Sequence, residues 1–176
     1  MFNSIKNKIV QIIVDRKLKH LRTGQQSFKN LYKNTPQFLV LMPENENHFY
    51  YALNIIKALI DAGKMVTLIT HDYRVNTLPI KYRQGIIDYG IADLSKFNLP
   101  NKRFEQKLKE RQFTAVLDLS KEENLFNSLA ANLVQSDVRI GFRKKNSDRY
   151  YNFQISNSND NPEIFYKNFL NCLQMF

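Results

Sequence analysis

Three stretches of the chain place chemically active side chains close together. The first is Pro43-Glu44-Asn45-Glu46-Asn47-His48, two carboxylates and an imidazole in a short polar run. An imidazole titrates near neutrality, and a neighbouring carboxylate shifts it, so His48 can act as a general base with Glu46 beside it. The same run also suits a helix start, with Asn47 capping and the acids facing the positive end of the dipole. The second stretch is Leu117-Asp118-Leu119-Ser120, followed by Asn124. A carboxylate ending an apolar strand can reach a ligand, and it can equally hold loop amides or cap the next helix. The third is Arg143-Lys144-Lys145 with Arg149, which can hold a phosphate or carboxylate or can simply be a solvated loop.

These groups meet only if the elements carrying them converge. Phe38 to Met42 is a short, wholly apolar run, the pattern of a strand buried on both faces. Phe49, Ala52, Leu53, Ile56, Leu59 and Ile60 then recur at helical spacing, and Gly63 suits the C-terminal cap. Met65 to Thr70 reads as a second buried strand, completing a βαβ unit. After a break at Leu78-Pro79 the pattern weakens. Gly85 to Tyr89 gives a faint third strand, and Asn101 to Arg111 a helix buried through Phe104 and Leu108. Phe113 to Leu119 is a fourth strand and Val138 to Phe142 a fifth, with a helix through Leu125, Leu129, Ala130 and Leu133 between them. A last helix spans about Pro162 to Met175, with proline in its first turn.

Alternating strands and helices predict an α/β, Rossmann-like open parallel sheet of about five strands, with helices on both faces. In such sheets ligands bind beyond the carboxyl ends of the strands, at the switch point. The loops at Pro43–His48, Ser120–Asn124 and Arg143–Arg149 are expected to meet there. Neither G-x-G-x-x-G nor G-x-x-x-x-G-K-[ST] occurs, which argues against dinucleotide and P-loop chemistry. Three scattered histidines and one cysteine give no metal site, so no metal or cofactor is expected.

The formal charge of +10 over 176 residues is uneven. Residues 1–37 carry net +7, residues 38–112 net +3, and residues 113–176 are neutral. The basic arm, residues 1–37, is therefore set apart from the body, residues 38–176. In the arm Phe2, Ile5, Ile9, Ile12, Ile13 and Arg16 step by three and four, predicting an amphipathic helix with flanking lysines. It can pack on the body, or residues 2–19 can lie on an anionic membrane surface. Thr23 to Ser27 reads as a break after it. No zinc site or RNA-binding strand motif accompanies the charge, which argues against nucleic acid. The single Cys172 and the lack of a secretory leader pattern suggest the cytoplasm, with peripheral attachment at the inner face of the membrane.

The run Val116-Leu117-Asp118-Leu119, the helix with Ser128 and Ala130-Ala131, then Val138-Arg139-Ile140-Gly141-Phe142 and Tyr150-Tyr151-Asn152 resembles the N-terminal half of family 9 glycosyltransferases, the heptosyltransferases of lipopolysaccharide core assembly. The resemblance covers roughly residues 38–176. It implies a GT-B enzyme whose two Rossmann-like domains face each other. The N-terminal domain receives the sugar-lipid acceptor; the C-terminal one, which these residues do not include, holds the nucleotide-activated sugar. The family's first helix opens on a Gly-Asp pair whose Asp is the proposed base. Counted back from Lys57-Ala58-Leu59, Asn47-His48 stands on that pair. The resemblance thus implies His48 and Glu46 as catalytic candidates. Asn47, Asp118, Ser120, Asn124, Arg143, Lys144 and Arg149 are the substrate-binding candidates. Two functions follow as expectations. One is an acceptor-side domain that transfers sugar to a lipopolysaccharide or glycolipid only with a donor-domain partner. The other is a stand-alone, non-catalytic module that binds a glycan, glycolipid or protein.

Overall fold

A computed structural model describes residues 2–18 and 28–176. Helix α1 (Phe2–Leu18) and the short α2 (Leu31–Asn34) precede the first strand, β1 (Gln37–Leu41). The chain continues through α3 (Glu46–Asp61), β2 (Met65–His71), α4 (Asp72–Val75) and β3 (Ile87–Tyr89). Then come α5 (Lys102–Lys109), β4 (Ala115–Asp118), α6 (Leu125–Leu133), β5 (Val138–Phe142), β6 (Phe153–Ile155) and α7 (Pro162–Gln174).

All six strands run parallel, in the order β3-β2-β1-β4-β5-β6. This is the Rossmann order, with the chain reversing direction across the sheet between β1 and β4. The expected five strands are all present. The sixth, β6, pairs Phe153 with Ile140 and Ile155 with Phe142 at the sheet edge. Its three residues are too short to show a periodicity of their own.

Alternation along the strands divides the core in two. Phe38 and Val40 of β1, Ala115 and Leu117 of β4, and Val138, Ile140 and Phe142 of β5 face α3 and α7. Leu39, Leu41 and Val116 face α1, α5 and α6. Helix α3 ends as glycine at 63 demands. Gly63 takes φ +73, and Lys64 N–H donates to the Leu59 carbonyl while Gly63 N–H donates to that of Ile60, a Schellman closure. Its start differs from expectation. The cap is Asn45, whose Oδ1 accepts from His48 N–H at 3.1 Å, so Asn47 lies inside the first turn.

Helix α1 packs on α6 through Val10, Val14 and Leu18, which are buried among Phe104, Leu129 and Leu133. This corrects the predicted stripe at Ile9 and Ile12, which are 44% and 51% exposed, while Ile13 packs against the cluster. The side chains of Phe2 and Ile5 lie outside the described residues. The Asp15 carboxylate takes the Arg149 guanidinium at 2.7 Å, and Lys17 pairs with Glu105. Lys19 and the break at Thr23–Ser27 lie outside the described residues. Among the described residues, no helix is long and apolar enough to cross a membrane.

Candidate functional site

Strands β4 and β5 place Asp118 and Gly141 side by side in register, on the face covered by α6. Asp118 is fully buried, so its carboxylate must be saturated by donors. Oδ1 accepts from Ser120 N–H at 3.0 Å and from Asn127 Nδ2 at 3.2 Å. Oδ2 accepts from Lys144 Nζ at 3.0 Å and from the Tyr151 hydroxyl at 2.5 Å. With its proton committed to the carboxylate, the Tyr151 oxygen is left to accept from Ser128 Oγ at 3.2 Å. Burial, and next the Asp118 charge, hold the Tyr151 phenol well above its ordinary range, so it is a permanent donor.

Gly141 makes this possible. A Cβ there would lie 3.0 Å from the Tyr151 ring, tighter than side chains ordinarily pack, so glycine gives that ring room to lie across β5 and reach Asp118. Arg139, two residues earlier on the same face, donates to the carbonyls of Ala131 and Val134, closing the C-terminal end of α6. Asn152 accepts from Arg139 N–H at 2.8 Å and donates to the Asp137 carbonyl. The Asp-Leu, Arg-Ile-Gly-Phe and Tyr-Tyr-Asn segments are thus linked by a polar network, buried at Asp118, Arg139 and Tyr151 and exposed at Asn152, that joins β4, α6, β5 and the turn before β6.

Above this network the three expected loops do meet. Glu44 Oε1 accepts from Asn124 Nδ2 at 3.0 Å, and Lys144 Nζ also donates to the Glu122 carbonyl. His48, Ser120 and Asn124 line one cavity of about 260 Å³ together with Glu44 and Lys121. Asn124 also caps α6 through Asn127 N–H at 3.0 Å, and Ser120 Oγ accepts from Asn127 at 2.8 Å.

The other candidates sit elsewhere. Glu46 and Asn47 are exposed on the first turn of α3 and do not line that cavity. Asp118 is closed off beneath it, bonded to Ser120, Asn127, Lys144 and Tyr151. Arg149 is turned to Asp15 of α1, and Arg143 is exposed beyond the end of β5. Only Lys144 of the basic cluster points into the converging loops, and its charge is spent on Asp118. The His48 ring packs edge-on against Phe165 and Tyr166 of α7, with Nδ1 buried and unpartnered. Burial, then the Lys121 charge, lowers its pKa, so the imidazole is neutral at neutral pH.

A second cleft, of about 360 Å³, opens at the carboxyl ends of β1, β2 and β3. Glu44 borders both it and the first cavity, so one crevice follows the strand ends across the switch point. His71, Tyr73, Tyr89 and Phe126 give it aromatic walls, and Tyr89 stacks on Phe126 at 4.1 Å between centroids. Arg74 is buried behind it, donating to the Glu44 carbonyl and to the Tyr73 hydroxyl. This part of the site was missed in the sequence. The signal was there: His71-Asp72-Tyr73-Arg74 follows directly on the apolar second strand, where ligands are expected in this fold. Among the described residues no group of acids, histidines and cysteine could hold a metal ion.

No family model matches the sequence, and no curated protein matches it. The fold does match: the chain is a Rossmann-like α/β domain. It is similar to the structure of E. coli heptosyltransferase WaaC with ADP, at 15% identity and a TM-score of 0.53. That match covers 74% of this chain and 45% of the heptosyltransferase, so the chain spans less than half the length of the protein it matches. At this identity the likeness is one of fold.

Proposed function

We propose that the chain is a family 9 glycosyltransferase-like, acceptor-side domain. It holds a lipopolysaccharide or other glycolipid acceptor and transfers sugar only when completed by a donor-binding domain. The observation that carries this reading is the crevice around Glu44, at the strand ends where the Rossmann order reverses. The fold likeness to a heptosyltransferase supports it, as does the share of that enzyme the chain spans. In this reading His48 and Ser120 flank the acceptor hydroxyl. Lys144, fixed by Asp118, sets the shape of the Ser120–Asn124 loop.

Titration calorimetry tests the proposal. The chain alone is expected to give no binding heat with ADP-heptose or UDP-glucose, and transfer to a lipopolysaccharide core acceptor is expected only once a donor-binding domain is supplied. Tight nucleotide-sugar binding by the chain alone would overturn it.

One observation favours a second reading, a stand-alone module that binds a glycan, glycolipid or protein without catalysis. The position implied for the base carries a neutral imidazole set against α7 instead of a carboxylate. Unchanged transfer by His48→Ala in the completed enzyme would exclude His48 as the base. No transfer with any donor domain, together with retained glycan binding, would establish the module.

A further inference from the structure

Charge around the crevice points away from a phosphorylated ligand. Three of the basic side chains near it are already engaged: Lys144 by Asp118, Arg149 by Asp15, and Lys121 by Asp160 at 2.9 Å. Arg74, the one cation among the described residues lining the aromatic cleft, is only 9% exposed. Its guanidinium lies over the Phe49 ring at 4.5 Å and is committed to the Glu44 carbonyl and the Tyr73 hydroxyl. What faces outward is a carboxylate and an imidazole paired with one. Glu44 is exposed, and His71 is held by Asp72, with Nδ1 2.5 Å from Oδ1.

The His71–Asp72 pair is built in. Asp72 Oδ1 also accepts from Tyr73 N–H at 2.7 Å, and its carboxylate occupies space that a Cβ on Gly90 would fill, 2.4 Å from that atom. With Nδ1 engaged by Asp72, no described residue bonds to Nε2, which is left for a ligand hydroxyl. The ring packs between Tyr73 at 4.5 Å and Tyr89 at 5.1 Å, and Tyr73 is 60% exposed.

We propose that this cleft is a site for an uncharged sugar: the apolar face of the ring lies on Tyr73, and its hydroxyls hydrogen-bond with His71 Nε2 and donate to Glu44. An exposed carboxylate with no free Lys or Arg among the described lining residues suits hydroxyls and repels phosphate. The inference rests on the reading of the chain as a glycan-holding domain and adds the chemical class of the glycan portion held here.

The test uses an array of uncharged oligosaccharides and their phosphorylated counterparts, probed with the whole chain and with Tyr73→Ala and His71→Ala. Both residues lie at the cleft wall and Tyr73 is mostly exposed, so the Tyr73 variant keeps the fold. The wild type is expected to bind uncharged members, with phosphorylated counterparts weaker by about tenfold and each variant weaker by about tenfold. Equal or tighter binding of the phosphorylated members, or binding unaffected by Tyr73→Ala, would overturn the inference while leaving the glycan-holding reading in place. Binding to neither class would overturn both.

Discussion

The residue scale is governed by one buried carboxylate and the group that reaches it. Asp118 sits where Lys144, Asn127, Ser120 and Tyr151 all donate, and Gly141 is the clearance for Tyr151. Gly141→Ala is therefore expected to cost about 1–3 kcal/mol by forcing the ring off the strand. In a Tyr151→Ala background the same substitution should cost little. Chemical denaturation of the four proteins measures this coupling, and additive losses would mean that Gly141 matters for another reason. His48 gives the pH dependence. Its folded-state pKa is held below the ordinary 6.5, first by burial and then by Lys121, against a weaker opposite pull from Glu122. Between the two values the unfolded chain binds the extra proton. The contribution of His48 is thus complete above about pH 6.5 and is lost as pH falls below it. His48→Gln should flatten this dependence: between about pH 7.5 and about pH 5, its denaturation midpoint should fall less than that of the wild type.

At the scale of elements, helix α6 is the piece on which one of the two cores and the crevice depend. Asn124 closes its start, and Arg139 its end. Replacing Arg139 by methionine keeps much of the volume and removes the charged donors. The expected loss is about 2 kcal/mol, with faster amide hydrogen exchange around Leu133 to Gln135. Unchanged exchange there would show that the end of α6 is held by packing alone. Helix α1 presents the other element-scale question. Its valines are turned inward, and Ile9 and Ile12 remain outside next to the exposed Arg16. If this face rests on an anionic membrane, the chain floats with phosphatidylglycerol vesicles at low salt and less at high salt. The double variant Ile9→Ser, Ile12→Ser should then lose flotation at every salt concentration, and flotation equal to wild type would remove α1 as the contact.

The whole molecule is a sheet clothed on both sides, and α1 supplies part of that clothing. Val10, Val14 and Leu18 are each at most 7% exposed in the cluster with α5 and α6. Burial of three such side chains is worth about 5 kcal/mol, comparable to the total stability of many domains. A chain beginning at residue 28 should therefore unfold at markedly lower urea than the full chain. An unchanged midpoint would mean that the arm is a passive appendage.

The arrangement of strands and helices was legible because hydrophobic periodicity is a local property. The apolar run at Phe38–Met42 and the alternating Val138–Phe142 read as buried strands, and the Asn and Gly residues at helix ends carry their own geometry. The chemistry of the loops was not local. The basic run at Arg143–Arg149 reads in sequence as an anion site, yet Lys144 and Arg149 are neutralised by Asp118 and Asp15, 26 and 134 residues away along the chain. The carboxylate facing the crevice is Glu44 rather than Glu46, because the helix cap falls at Asn45. His71 acquires its aromatic neighbours from α4, through Tyr73, and from β3, through Tyr89. Composition and spacing determined the parallel sheet and the edge at which to look. Only the tertiary structure decided which charges there are free, because a charge is cancelled by its neighbours in space, and long-range packing brings them together.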